Sequence, residues 1–76
     1  MTKDEIKQQI EEMYRYYMST ARKLYSLPEG EADDYEIGRA TGAIEAISAI
    51  YLMMFGGQSM YELWQECIEI EEEALS

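Results

Sequence analysis

The feature that most constrains the fold is a nearly uncharged stretch of twenty residues from Gly38 to Gly57, GRATGAIEAISAIYLMMFGG. Its only charged residues are Arg39 and Glu45, although the 76-residue chain has a formal net charge of −10. A membrane span needs roughly 20 predominantly apolar residues, and a carboxylate such as Glu45 is costly at the centre of a bilayer. The stretch therefore predicts a helix in a protein core, with no membrane as a partner.

The first helix has a recognisable start and end. Thr2 and Glu5 form a Thr-x-x-Glu capping box, in which each side chain can satisfy an unpaired backbone N–H at the helix start. Pro28 cannot donate a backbone hydrogen bond and pushes Leu27 out of the helical region. We therefore expect the first helix to end near Ser26.

Two further helices follow. Asp33 is a candidate N-cap for the second helix, and Gly56-Gly57 is expected to end it, because glycine tolerates the left-handed conformation of C-terminal caps. A second capping box, Ser59 to Glu62, opens the third helix. The expected fold is a single all-α domain over residues 1–76, with three helices at about 3–26, 34–55 and 60–74.

The second helix is apolar around nearly its whole circumference, whereas the first and third are apolar on one side only. Two amphipathic helices can cover only part of such a helix. We therefore expect the second helix to be central and its remaining surface to form a homodimer or a higher helical homo-oligomer.

Small residues recur along the second helix at spacings of three and four. This pattern lets two helix backbones approach closely. The ridge can receive another helix of the same chain or the same helix of a second copy, and the sequence leaves both alternatives open. The residues predicted for self-association are Gly38, Gly42, Ala46, Ala49, Ile50 and Met53.

The residue inventory argues against catalysis. Histidine is absent and Cys67 is the only cysteine, so a disulfide within the chain is excluded and a zinc site has almost no ligands. Cys67 lies on an apolar stripe among acids, which raises a thiol pKa. We expect no enzyme activity, no metal and no cofactor. The N-terminus, MTKDEIKQQIEE, does not resemble a signal or transit peptide, which together with the lone cysteine predicts a cytoplasmic protein.

Acids dominate the second half of the chain: residues 40–76 hold seven acids and no base. Four glutamates share one face of the third helix, and the acids in its last turn oppose its macrodipole. They form either a solvated face or a surface for a basic partner, whereas direct nucleic-acid binding is disfavoured. The predicted partner-binding residues are the acids Glu62, Glu66, Glu69, Glu73, Asp33 and Asp34, together with Tyr16, which points away from the apolar stripe of the first helix.

Two further side chains have predicted positions. Glu45 is expected at the edge of the second helix, paired with Arg15 or Arg22, because charges near a core are normally paired. The alternative is a polar group that gives specificity inside a self-association interface. Trp64 is expected in the core beside Met60 and Ile68.

The overall profile is that of a short, strongly acidic, cysteine-poor helical chain without catalytic residues. It resembles the small proteins of bacteriophages and mobile elements that disable host defences, including anti-CRISPR proteins that act as nucleic-acid mimics. The segments TGAIEAISAIYLMMFGG and MYELW also resemble small prophage proteins of Gram-positive bacteria. The resemblance implies a role inside the host cell.

The leading functional prediction is a non-catalytic inhibitor that binds a host defence or nucleic-acid-processing protein through an acidic, DNA-mimicking surface. One alternative is an oligomer that sequesters a small nucleotide signal. Its predicted working residues are Lys3, Lys7, Arg15, Arg22, Lys23 and Tyr16. Another alternative is a structural or assembly subunit.

Overall fold

The computed structural model describes residues 1–28 and 30–75, with side chains as far as Glu69. Three α-helices account for most of it: α1 (Lys3–Tyr25), α2 (Asp34–Phe55) and α3 (Gly57–Leu75). The described ranges contain no strand. The predicted all-α, three-helix fold is therefore confirmed, and the bounds of α1 and α2 agree with the prediction to within one residue.

The ends of α1 follow from its local sequence. The hydroxyl oxygen of Thr2 accepts a hydrogen bond from the backbone N–H of Glu5 at 3.2 Å, as the capping box predicts. At the other end, the N–H of Ser26 donates to the carbonyl oxygen of Arg22 at 3.0 Å, and its hydroxyl donates to the carbonyl oxygen of Lys23 at 2.8 Å. These bonds satisfy backbone groups that the helix itself leaves unpaired.

The start of α2 is also local in origin. The Asp33 carboxylate accepts a hydrogen bond from the N–H of Tyr35 at 2.9 Å, which makes it the N-cap. The helix ends at Phe55, and Gly56 is its C-cap with a φ of +91° and a ψ of 165°, a conformation that glycine adopts readily and that is strained for residues with a Cβ. The N–H of Gly56 donates to the carbonyl oxygen of Leu52 at 2.9 Å.

The predicted start of α3 at residue 60 is wrong. The helix begins at Gly57, and the N–H of Met60 donates to the carbonyl oxygen of Gly56 at 3.2 Å. Ser59 therefore lies inside the first turn of α3 and is not its N-cap. One glycine at positive φ suffices to redirect the chain, so the second glycine can join the next helix.

The three helices pack around a small core. Residues early in α1 contact residues late in α2, so these two helices are antiparallel, and α3 runs back in the direction of α1. The four buried side chains at the centre are Tyr14, Ile47, Tyr51 and Leu63. Towards the α1–α2 connection, the buried residues are the small side chains of Ala21 and Ala40.

Trp64 is not in the core, contrary to the prediction. Its side chain is 43% exposed and its ring lies 6.0 Å from that of Tyr61. Leu63 takes the buried position, and Met60 and Cys67 pack partly beside it. Because successive residues of an α-helix differ by about 100°, the residue after Leu63 points away from the core.

No helix in the described part of the chain is both long enough and apolar enough to cross a membrane. Hydrophobic residues of α2 are interrupted by Arg39 and Glu45, as the sequence indicates.

Candidate functional site

One side of α2 is exposed along most of its length. Met53 is 83% exposed and Ile50 is 50% exposed, which is unusual for a helix of this apolar composition. We define the outer face of α2 as nine of its exposed residues: Tyr35, Gly38, Arg39, Gly42, Glu45, Ala46, Ala49, Ile50 and Met53. Asp34, Glu36, Leu52 and Met54 of α2 are exposed as well.

The packing of the other two helices explains why this face is uncovered. The buried residues of α2 are Ala40, Ile47 and Tyr51, which lie on the opposite side of the helix at 3.6 residues per turn. Both α1 and α3 pack on or next to that buried side. The chain has no fourth helix in its described part to cover the remainder.

The small-residue ridge makes no close contact within the chain. A Cβ added at Gly38 or Gly42 would meet nothing within 4 Å among the described residues, apart from neighbouring backbone of α2. The alternative in which the ridge receives another helix of the same chain is therefore wrong. Its glycines lower helix propensity by about 1 kcal/mol each relative to alanine without any compensating contact in the monomer.

Glu45 does not pair with an arginine of α1, contrary to the prediction. Arg15 instead binds Glu66 of α3, with its Nε at 2.7 Å and its Nη2 at 3.4 Å from the two carboxylate oxygens. Glu45 is exposed on the outer face, and no ion pair links it to Arg22 in the described ranges. The reason is geometric, because Arg15 faces α3 whereas Glu45 faces away from the bundle.

A polar cluster joins the three helices on the side opposite the outer face. The hydroxyl of Tyr51, which is buried, donates to the Glu11 carboxylate at 2.7 Å. Burial, and then this hydrogen bond, raise the pKa of Tyr51. The hydrogen bond to Glu66 raises the pKa of Arg15. A groove of about 200 Å³ separates these pairs.

Sequence reasoning missed Glu11 as a structural residue. An acid beside the apolar stripe of an amphipathic helix is expected at the solvated side, but Glu11 is partly buried. Its position next to Ile10 and three residues before Tyr14, both on the apolar stripe, was the available signal. A carboxylate at the border of a stripe can reach a buried hydroxyl on a neighbouring helix.

The predicted acidic partner surface is not uniform. Glu66 is engaged by Arg15, whereas Glu62 and Glu69 are exposed and lie within 3.2 and 3.5 Å of the side-chain amides of glutamines one turn earlier. Of the other two acids, Asp33 caps α2 and Asp34 is exposed. The side chain of Glu73 lies outside the described residues.

Tyr16 lies where α1 borders α2. It is 66% exposed, as predicted, and its ring meets that of Tyr17 edge-on at 5.3 Å. Together with Arg39 and Glu36 it lines a groove of about 260 Å³. The interface-prone tyrosine is therefore near one end of the outer face.

The residues predicted to bind a nucleotide are spread over the molecule. Lys3 and Lys7 each lie 5.8 Å from the ring of Phe55, while Arg15 is paired with Glu66. Arg22 lines a different groove with Met18, Tyr25 and Ile44, and Lys23 is exposed. Tyr16 lies beside Arg39 and not beside this group.

Cys67 is half-buried, and burial, followed by the charge of Glu66, raises the pKa of its thiol. The direction agrees with the prediction and disfavours the reactive thiolate. Among the described residues, no group of three or more potential ligands is placed to hold a metal ion.

No protein-family model, curated protein or solved structure matches this chain. Function is therefore inferred from the geometry and charges of the chain's own residues.

Proposed function

We propose that this protein is a non-catalytic, self-associating inhibitor in the host-cell cytoplasm, which binds a defence or nucleic-acid-processing protein through its acidic surface. The observation that carries the proposal is the separation of two exposed surfaces. The outer face of α2 is made of apolar and small residues apart from Arg39 and Glu45. Glu62 and Glu69 lie on α3 and have no ion-pair partner among the described residues. The first surface suits assembly and the second suits a basic partner.

Self-association is favoured by the size of the core. Only six residues with hydrophobic side chains are buried among those described, and a chain of this length has little stability to spare. Covering Ile50 and Met53 removes apolar area from water, which is worth roughly 25 cal/mol per Å². A second copy is a partner that is always present.

A sedimentation experiment tests this part of the proposal. Wild-type protein is expected to sediment at a multiple of the 8.9 kDa chain mass. Gly42→Leu is expected to sediment as a monomer with unchanged helicity, because leucine favours helix and Gly42 has open space around it. Gln8→Leu, on the exposed surface of α1, is the matched control. A wild-type monomer, or a Gly42→Leu protein of wild-type mass, would contradict the assembly through this face.

Binding of a basic partner, the second half of the proposal, is supported by the charge of the exposed acids. Glu62, Glu69 and Asp34 are exposed, and none of them has an ion-pair partner in the ranges that the structure describes. Proteins that process nucleic acids bind phosphates with lysine and arginine, and carboxylates of high local density are complementary to such surfaces. Inhibition then follows because this protein occupies the surface with which its partner binds nucleic acid.

The decisive variant is Glu62→Lys with Glu69→Lys. Glu66 is left unchanged because its ion pair with Arg15 joins α3 to α1. The matched control is Glu12→Lys with Glu31→Lys, which changes the net charge equally at exposed positions elsewhere.

The assay is inhibition of DNA cleavage by a panel of purified RNA-guided nucleases and restriction endonucleases, at low and high salt. Wild-type protein and the control are expected to inhibit at least one of them, whereas the α3 variant loses at least tenfold in affinity, about 1.4 kcal/mol. Equal loss in both variants would show that net charge alone matters. Absence of inhibition by the wild type, or inhibition that does not depend on salt, would also contradict the acidic-surface mechanism.

A further inference from the structure

Two large aromatic side chains are exposed side by side on α3. Tyr61 is 57% exposed and Trp64 is 43% exposed, although tryptophan is highly buried on average in folded proteins. Their ring centroids lie 6.0 Å apart, with the ring planes tilted by 44°, within the range in which aromatic rings attract one another. We call these two residues the aromatic pair.

The aromatic pair lies on the same exposed side of α3 as the glutamates of the acidic surface. Leu63, the buried residue of this helix, marks the opposite side. At about 100° per residue, three rows of side chains follow one another around the exposed side, namely Trp64 with Tyr61, then Gln58 with Gln65, then Glu62 with Glu69. Because a helix with its side chains is only about 10–12 Å across, one segment of a partner can contact the first and the last row together.

Two hydrogen bonds draw the carboxylates of this side towards the aromatic pair. Glu62 accepts from the side-chain amide of Gln58 at 3.2 Å, and Glu69 accepts from that of Gln65 at 3.5 Å. The glutamines form the middle row, so these contacts hold the carboxylates towards the middle of the exposed side. Neither glutamate has an ion-pair partner in the part of the chain that the structure describes. The exposed side of α3 therefore combines two adjacent aromatic rings with two uncompensated negative charges.

We propose that the exposed side of α3 binds an arginine-bearing segment of the basic partner, with one guanidinium stacked on the aromatic pair and a second paired with Glu62 or Glu69. The inference rests on the acidic-surface half of the proposed function, and it names the residue type that the partner contributes. Tyrosine, tryptophan and arginine are the residues most enriched at the energetic centres of protein interfaces. This contact brings all three together.

Arginine suits both rows better than other occupants do. Its planar guanidinium stacks on an aromatic face and forms two parallel hydrogen bonds with a carboxylate, whereas the lysine ammonium is a compact and strongly hydrated charge. Rings that already contact each other lose little conformational freedom on binding. The same side of a second copy presents the same glutamates and is repelled, since residues 40–76 contain no base.

Peptide binding tests the aromatic half of the contact, with nona-arginine and nona-lysine as the probes and calorimetry as the measurement. Tyr61→Leu and Trp64→Leu are each expected to weaken nona-arginine binding by about two- to fivefold, the size of a cation–π contact at an exposed site. Nona-lysine binding is expected to change less in both variants. The matched control is Tyr25→Leu, the same change at an exposed tyrosine of α1, which leaves both affinities as in the wild type.

A separate variant tests the acidic half. Glu62→Gln/Glu69→Gln is expected to weaken the binding of both peptides and to reduce its dependence on salt, because two of the exposed charges that attract them are gone.

Fluorescence tests the contact in the unmodified protein, so its result does not depend on the folding of any variant. Trp64 is the only tryptophan of the chain. Nona-arginine is expected to shield its ring and to lower its quenching by acrylamide, a neutral quencher. Nona-lysine at equal occupancy is expected to lower the quenching less.

The outcomes separate the arginine contact from the acidic-surface mechanism. Peptide binding that is weakened in the glutamine variant but unchanged in both leucine variants, or that leaves the quenching of Trp64 as it was, overturns the arginine contact and leaves the acidic surface standing. Shielding of Trp64 by a higher protein concentration without peptide assigns the aromatic pair to a second copy and also overturns the inference. Binding of neither peptide contradicts both.

Discussion

Replacing each glycine of the α2–α3 junction by alanine tests how this connection is built. Gly56 has a φ of +91° and a ψ of 165°, a region that alanine enters only with strain. Gly57 is the first residue of α3 and does not have a positive φ. Gly56→Ala is therefore expected to destabilise the protein, whereas Gly57→Ala is a matched control with the same change of side chain.

The magnitudes follow from the local geometry. Holding alanine in the backbone conformation of Gly56 costs about 1–3 kcal/mol. At Gly57 an added Cβ would lie 3.7 Å from the Cδ1 of Leu52, an ordinary van der Waals contact. Alanine there stabilises by about 0.4–1 kcal/mol, because it restricts the unfolded chain. The two variants should differ by about 2 kcal/mol or more, which corresponds to roughly 10 °C in Tm for a domain of this size.

Urea unfolding followed by far-UV circular dichroism measures the difference. All proteins are compared at one concentration, because association of the folded state makes apparent stability depend on concentration. A Gly56→Ala protein as stable as the wild type, or two variants destabilised equally, would refute the assignment of the turn to Gly56 alone.

Two further predictions concern the polar core. Tyr51→Phe removes the hydroxyl that donates to Glu11 at 2.7 Å and should lower the free energy of unfolding by about 1–2 kcal/mol. The control, Tyr16→Phe at the exposed surface, should change it by less than about 0.5 kcal/mol. Equal effects of the two variants in urea unfolding would contradict the hydrogen bond. Burial raises the pKa of Tyr51, Tyr14 and Cys67. At alkaline pH the folded state therefore keeps protons that the unfolded state loses. The free energy of unfolding should fall as the pH rises above the unfolded-state pKa values, about 8.5 for the thiol and about 10 for the tyrosines. Thermal unfolding across alkaline pH measures this slope, which Tyr14→Phe/Tyr51→Phe should flatten; an unchanged slope would mean that these tyrosines do not contribute.

The sequence by itself determined where α1 and α2 begin and end. Thr2, Pro28 and Asp33 act on backbone groups within a few residues of themselves, so their effect can be read without knowing the rest of the fold. The glycine pair was different. Either Gly56 or Gly57 can adopt a positive φ, and the choice depends on how α3 packs after the turn.

The surplus of apolar surface on α2 was also readable from the sequence, because the chain has too little amphipathic helix to cover it. Only the tertiary structure decided which side stays exposed. Ile47 is buried and Ile50 is exposed, although both lie in the same apolar run. The side of α2 on which α1 packs separates them. Because Gly38 and Gly42 lie on the uncovered side, no described residue outside α2 lies next to them.

The polar contacts between helices were decided by tertiary structure alone. Arg15 and Glu66 are 51 positions apart, and Glu11 and Tyr51 are 40 apart. Helical period assigns a residue to a face, but it contains no information on which residue of another helix lies opposite that face. That choice comes from the packing of the whole core, which brings distant positions of the chain within hydrogen-bonding distance.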